Sequence, residues 1–196
     1  MFGLPENSNV GKQLPKTAIY AKFAMNTTER ECFDVDISRI AISNVVDTRH
    51  IAEGKDIKSI YVFAVQLKRK EYDKKNIITL AKLIEQNIIF ALMFEQEVQF
   101  AVYCTRLVTS EWQTADSATL LLEGLNLDSV WENLVANVGG ITIGNGKSVA
   151  EQIVADDAHA KLIKQIELLE KKARAEKQPR KKLEFYSKIK SLKQLL

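Results

Sequence analysis

Cysteine is nearly absent from this chain. The two residues, Cys32 and Cys104, lie far in sequence from both histidines, His50 and His159. No disulfide framework, zinc site or Cys–His nucleophile pair can be assembled from that spacing, and both read as reduced core thiols. Proline and glycine are also scarce, three and eight in 196 residues, which excludes a disordered or loop-rich chain. No uncharged apolar run approaches the ~18 residues of a membrane span. The opening Met1-Phe2-Gly3-Leu4-Pro5-Glu6 has no positive stretch followed by an apolar one. These absences lead to the expectation of a cytoplasmic, non-membrane protein without a metal or other cofactor. In such a protein Asn26-Thr27-Thr28 is a helix start rather than a glycosylation signal.

What the chain does have is charge segregated along its length. It carries 28 Lys/Arg against 25 Asp/Glu; from 161 to 196 the balance is 12 against 4, leaving 16 against 21 before it. An acidic body of net −5 therefore precedes a basic arm of net +8. Lys171, Lys172, Arg174, Lys177, Arg180, Lys181 and Lys182 fall within twelve residues, opposed only by Glu176. Such a patch suits several backbone phosphates, with non-specific and steeply salt-dependent binding. No aromatic is interleaved at the patch itself. Phe185 and Tyr186 lie just past it, which argues against base stacking.

Hydrophobic periodicity predicts a mixed sheet flanked by helices, α/β or α+β in class. Residues 1–16, with Pro5 and Pro15, read as an arm over the body. A short helix is expected over 17–23, and a second from 26–28 to about 34–36, with Thr28-Glu29-Arg30-Glu31 as its capping box. Strands follow at 37–46 and 57–67, the latter apolar on both faces and so central. Glu53-Gly54-Lys55-Asp56 is a turn between them. An amphipathic helix over 72–86 leads to a hairpin, 88–94 and 98–104 joined by Glu95-Gln96-Glu97. A short edge strand is expected at 119–122. A helix over 127–138, capped by Asn126, turns Val130, Trp131, Leu134, Val135 and Val138 inward. The glycine-rich 139–146 marks the boundary between body, 1–140, and arm, 147–196, with 141–146 as linker.

The arm reads as an antiparallel helical hairpin with the cations at its tip. Leu162, Ile166, Leu169 and Ala173 form one stripe; Leu183, Tyr186, Ile189, Leu192 and Leu196 form the facing one. So short a seam is marginal alone and is expected to pack on the body, on a second copy to give a homo-oligomer, or on another protein.

Two motifs invite catalytic comparisons. Gly144-Asn145-Gly146-Lys147-Ser148 looks like the end of a phosphate-binding loop, but Ile141 stands where that pattern needs glycine, and a helix precedes it. Asp56 with Gln66-Leu67-Lys68, in the order helix, strand, strand, helix, strand, resembles the core of PD-(D/E)xK nucleases. There, two carboxylates hold Mg²⁺ and the lysine steadies the attacking water. Gln66, a neutral amide at the second acid position, counts against activity. Asp34 and Asp36 are further acids without fixed geometry. Trp131 is expected in the core, and Trp112 in the core or at a partner surface.

Longer matches extend along nearly the whole chain: Phe2-Gly3-Leu4-Pro5, Leu14-Pro15-Lys16, Lys58-Ser59-Ile60-Tyr61-Val62-Phe63, Tyr72-Asp73-Lys74-Lys75-Asn76, Ser110-Glu111-Trp112, Leu125-Asn126-Leu127-Asp128 and Lys177-Gln178-Pro179. Together they resemble a bacterial family of uncharacterised cytoplasmic proteins. The resemblance implies genes neighbouring those of DNA methyltransferases and helicases, as in restriction-modification or phage-defence islands. It implies no catalytic residues. The resulting expectation is a non-catalytic accessory protein of such a complex, with a methyltransferase or helicase as partner. A PD-(D/E)xK-like metal-dependent nuclease, active or degenerate and used for binding, and a purely structural homo-oligomer with no nucleic-acid role are the alternatives.

Overall fold

A computed structural model describes residues 2–142 and 148–195. The chain divides into two compact units, Met1–Ile143 and Gly144–Leu196.

The first unit is an α+β domain built on one mixed sheet. Its elements are β1 (Asn9–Leu14), α1 (Lys16–Lys22), α2 (Thr27–Asp36), β2 (Ile37–Asp47), β3 (Ser59–Leu67), α3 (Lys74–Ala81), β4 (Asn87–Phe94), β5 (Glu97–Tyr103), β6 (Leu107–Thr109), β7 (Gln113–Thr114) and α4 (Leu127–Gly139). The strands lie in the order β1-β2-β3-β4-β5-β6, with β7 paired to β5. All pairs are antiparallel except β3–β4, which is parallel. A parallel pair needs a crossover, and α3 supplies it. The expected order of helix, strand, strand, helix, strand is present as α2-β2-β3-α3-β4.

Helices cover both sheet faces. Ile19, Phe33, Ile77 and Leu80 from α1–α3 pack on Ile40, Phe63, Val65, Phe90 and Leu92, all buried. On the other face α4 turns in Val130, Leu134 and Val138, and it approaches β6 closely beside Gly139 and Val108. β3 is central, and it buries Ile60 and Val62 on one face and Phe63 and Val65 on the other, which explains why both of its faces read as apolar. α4 is capped by Asn126 as expected and ends where Gly140 turns left-handed at φ 58°.

Several sequence expectations need correction. Residues 9–14 are not a draped arm but an edge strand on β2, with a bulge between Asn9 and Lys12. Exposed on nearly every position and with no regular polar–apolar alternation, β1 has nothing to announce it. The capping box of α2 lies two residues earlier than expected: Asn26 accepts from the Glu29 amide, and the Glu29 carboxylate accepts from the Asn26 amide, both at 2.9 Å. α3 stops at Ala81 instead of reaching 86. Residues 119–122 form no strand; Leu120 instead donates one backbone bond to Phe2 at 2.9 Å, and the added strands are β6 and β7. Trp131 and Trp112 are both half-buried. Both thiols are free, but Cys32 is exposed on α2 rather than in the core.

The second unit holds α5 (Val149–Ala175) and α6 (Pro179–Lys193), packed against each other. Ser148 and Glu151 form the capping box of α5. Ile166, Ala173 and Ile189 are buried between the helices, with Leu169, Phe185 and Leu192 beside them. Leu162 is half-buried. Leu183 and Tyr186 are not part of this seam; they are 69% and 48% exposed. The physical reason is rotation: steps of three residues fall ~60° short of a full helical turn. Leu183 is therefore about 120° around α6 from Ile189, whereas Phe185 shares its face at a four-residue step. Residues 143–147, which hold the end of the glycine-rich linker and most of the phosphate-loop-like motif, lie outside the described residues, as does Leu196.

Candidate nucleic-acid interface

The seven cations singled out in the sequence come together at the turn between α5 and α6. α5 ends at Ala175 because Glu176 is extended (φ −75°, ψ 129°). Gln178 is held extended ahead of Pro179, which occupies the first helical position of α6. The Glu176 carboxylate accepts from the Gln178 amide at 2.9 Å and closes the turn. Lys172 and Arg174 thus sit in the last turn of α5 with Lys171 just before it, Lys177 in the connection, and Arg180, Lys181 and Lys182 in the first turn of α6. All are exposed except the half-buried Lys182. Buried Ala173, between Lys172 and Arg174, is small enough to let the helices approach there.

These charges are largely uncompensated. Arg174 reaches Glu170 only at 3.8 Å. Glu170 is engaged more closely by Lys193, at 2.8 Å. The Lys193 hydrogen bond and charge, with Arg174 adding, hold the Glu170 carboxyl below its ordinary range despite some opposing burial. Cations in the last turn of α5 complement its dipole, but those opening α6 oppose it. The first turn of α6 holds no acid, and its N-cap makes no side-chain hydrogen bond. Helix stability alone therefore does not account for this cluster. Its chemistry suits an external anion with several charges.

The expected docking seam is used internally. Ile166, Leu169, Ile189 and Leu192 meet one another across the helical pair. Leu183 and Tyr186 are the members left on the surface.

The nuclease-like residues do not converge. Asp56 lies in the loop before β3, whereas Gln66 and Lys68 lie at its far end. A strand of this length separates them by on the order of 30 Å. The loop's backbone is committed elsewhere: the amides of Lys55 and Ile57 donate to the Asp128 carboxylate at 2.6 and 2.8 Å, with a longer contact from Asp56 at 3.3 Å. Gln66, opposite Arg39 across the strand pair, donates to the Met93 carbonyl at 3.2 Å. Lys68 is exposed, and its amide donates to the Asp36 carbonyl at 2.8 Å.

The carboxylates near Lys68 are satisfied internally. Buried Asp36 accepts from Arg69 at 2.6 Å, the Asp73 amide at 2.8 Å and the Asn76 amide group at 2.7 Å. It clasps the entrance of β2, the exit of β3 and the start of α3. Asp34 accepts from Lys16 at 2.5 Å and Tyr20 at 2.6 Å. Burial works against its ionisation, but these hydrogen bonds outweigh burial and leave its pKa lowered. Burial, then the bond to Asp34, pushes the Tyr20 phenol up. Among the described residues no three His, Cys, Asp or Glu side chains are grouped to hold a metal ion. A groove of 540 Å³ between α2 and α3, lined by Cys32, Asp73 and Asn76, mixes both signs of charge with apolar wall.

Sequence reasoning missed the roles of Asp36 and Asp128. Both join segments far apart in the chain, and neither belongs to a local motif that would expose such a role.

Residues 2–196 match the family model described as Domain of unknown function (DUF4391), and the chain belongs to that family. No curated protein and no solved structure matches it.

Proposed function

We propose that this protein is a non-catalytic accessory component of a cytoplasmic nucleic-acid-handling complex, which it joins by placing the basic turn of its arm against backbone phosphates. The observation that carries the reading is the gathering of Lys171, Lys172, Arg174, Lys177, Arg180, Lys181 and Lys182 at one helix–helix turn, with a single 3.8 Å ion pair to an acid among the described residues. Counterions released from phosphates on binding drive such association, whatever the sequence. A DNA methyltransferase or helicase subunit of a restriction-modification or phage-defence system is the proposed protein partner. Its docking does not use Ile166, Leu169, Ile189 or Leu192, which are engaged within the arm.

Reversing Arg180, Lys181 and Lys182 to glutamate tests the turn. DNA affinity should fall, and its salt dependence should flatten by roughly 0.9 in the log–log slope for each phosphate no longer neutralised. A triple variant that binds as the parent does removes the turn from the account. Purification of a tagged copy from its host, with and without nuclease, tests the complex: a methyltransferase or helicase retained after nuclease treatment is the expected result.

A further inference from the structure

Phe185 and Tyr186 are adjacent in sequence and opposite in placement. Phe185 packs in the seam of the helical pair, while Tyr186 is 48% exposed on the outside. On α6 the residues four before and four after Tyr186 are Lys182 and Lys190, and Leu183, 69% exposed, is three before. These spacings put all four side chains on one face of the helix. That face begins in the same first turn that holds Arg180 and Lys181. In sequence Tyr186 lies past the basic cluster, which by itself argues against base stacking, but the helix brings it onto the face of Lys182. An exposed aromatic ring beside an exposed leucine, with ammonium groups at both ends, thus combines a flat apolar surface with a track for negative charge.

We infer that Tyr186, supported by Leu183, is a stacking platform that takes an unpaired base while Lys182, Lys190 and the basic turn hold the flanking phosphates. The inference rests on the phosphate-binding reading above and gives it a substrate class, a single-stranded nucleic acid or an unpaired stretch within a duplex. Charge complementarity selects this occupant: a neutral or basic protein surface would leave the flanking lysines unanswered. A base inside a continuous duplex offers no free face to the ring, whereas every unpaired base does.

The test uses the full chain and fluorescence anisotropy with labelled oligonucleotides of roughly 20 nucleotides, a length that spans several stacked bases. Single-stranded DNA, single-stranded RNA and a DNA duplex are compared for the parent, Tyr186→Ala, Tyr186→Phe and the triple charge reversal. Tyr186→Ala should weaken both single strands by roughly 5- to 100-fold and leave the duplex unchanged. Tyr186→Phe should restore the single-strand affinity, and circular dichroism should show unaltered helicity in both variants. The inference is overturned if Tyr186→Ala binds single strands like the parent, or loses single strand and duplex alike. If charge reversal abolishes binding that Tyr186→Ala does not touch, only the platform falls. If the parent binds none of the three probes, the phosphate reading falls with it.

Discussion

At the scale of single residues, two carboxylates hold together segments distant in the chain. Removing the Asp36 side chain strands the Asp73 amide, the Asn76 amide group and the Arg69 guanidinium. Asp36→Ala should cost on the order of 3 kcal/mol, read from the urea midpoint. Arg69→Ala should cost less, because that side chain is 53% exposed. Asp128 is held by the loop amides against an opposing effect of burial, so its pKa is lowered. Asp47, hydrogen-bonded by Arg49, is lowered to about 2. Carboxyls depressed on folding stabilise the fold above their unfolded pKa of about 4, and that contribution disappears as pH falls through the folded values. Stability should therefore decline from about pH 4 toward pH 2, and Asp128→Asn should show a shallower decline in acid-unfolding curves. Gly54→Ala would put a methyl 2.2 Å from the Asp128 carboxylate and 2.8 Å from its backbone nitrogen, so a loss of about 1–3 kcal/mol is expected.

At the scale of elements, the helical pair depends on a narrow interface. Ala173→Leu should overpack it, lowering arm helicity by circular dichroism at a cost of about 1–3 kcal/mol. The same elements show what the sequence could and could not reveal. The central strand was legible because Ile60, Val62, Phe63 and Val65 are apolar whichever face they take. The cap of α4 was legible because Asn126 directly precedes an apolar period. β1 was not, because an edge strand exposed on almost every position has the pattern of a loop. On α6 two lines of apolar residues overlap, and only rotation about the axis separates Phe185 from Tyr186. The cationic turn was fully visible, since charge clustered in sequence remains clustered across so short a connection. The dispersal of Asp56, Gln66 and Lys68 was hidden, because one strand's length carries its ends far apart.

At the scale of the whole molecule, the segregation of an acidic body from a basic arm sets how binding responds to solution conditions. With seven cations at the turn, the slope of log affinity against log salt should reach at most about −6, measured by titration across ionic strengths. The strand order offers a different consequence. From β1 to β6, position across the sheet repeats position along the chain, so each strand meets its neighbour as soon as both exist. Little of the architecture waits for a distant segment, and loop closures stay short. During synthesis the sheet can grow by one strand at a time behind the ribosome, with the crossover through α3 as its one slower step.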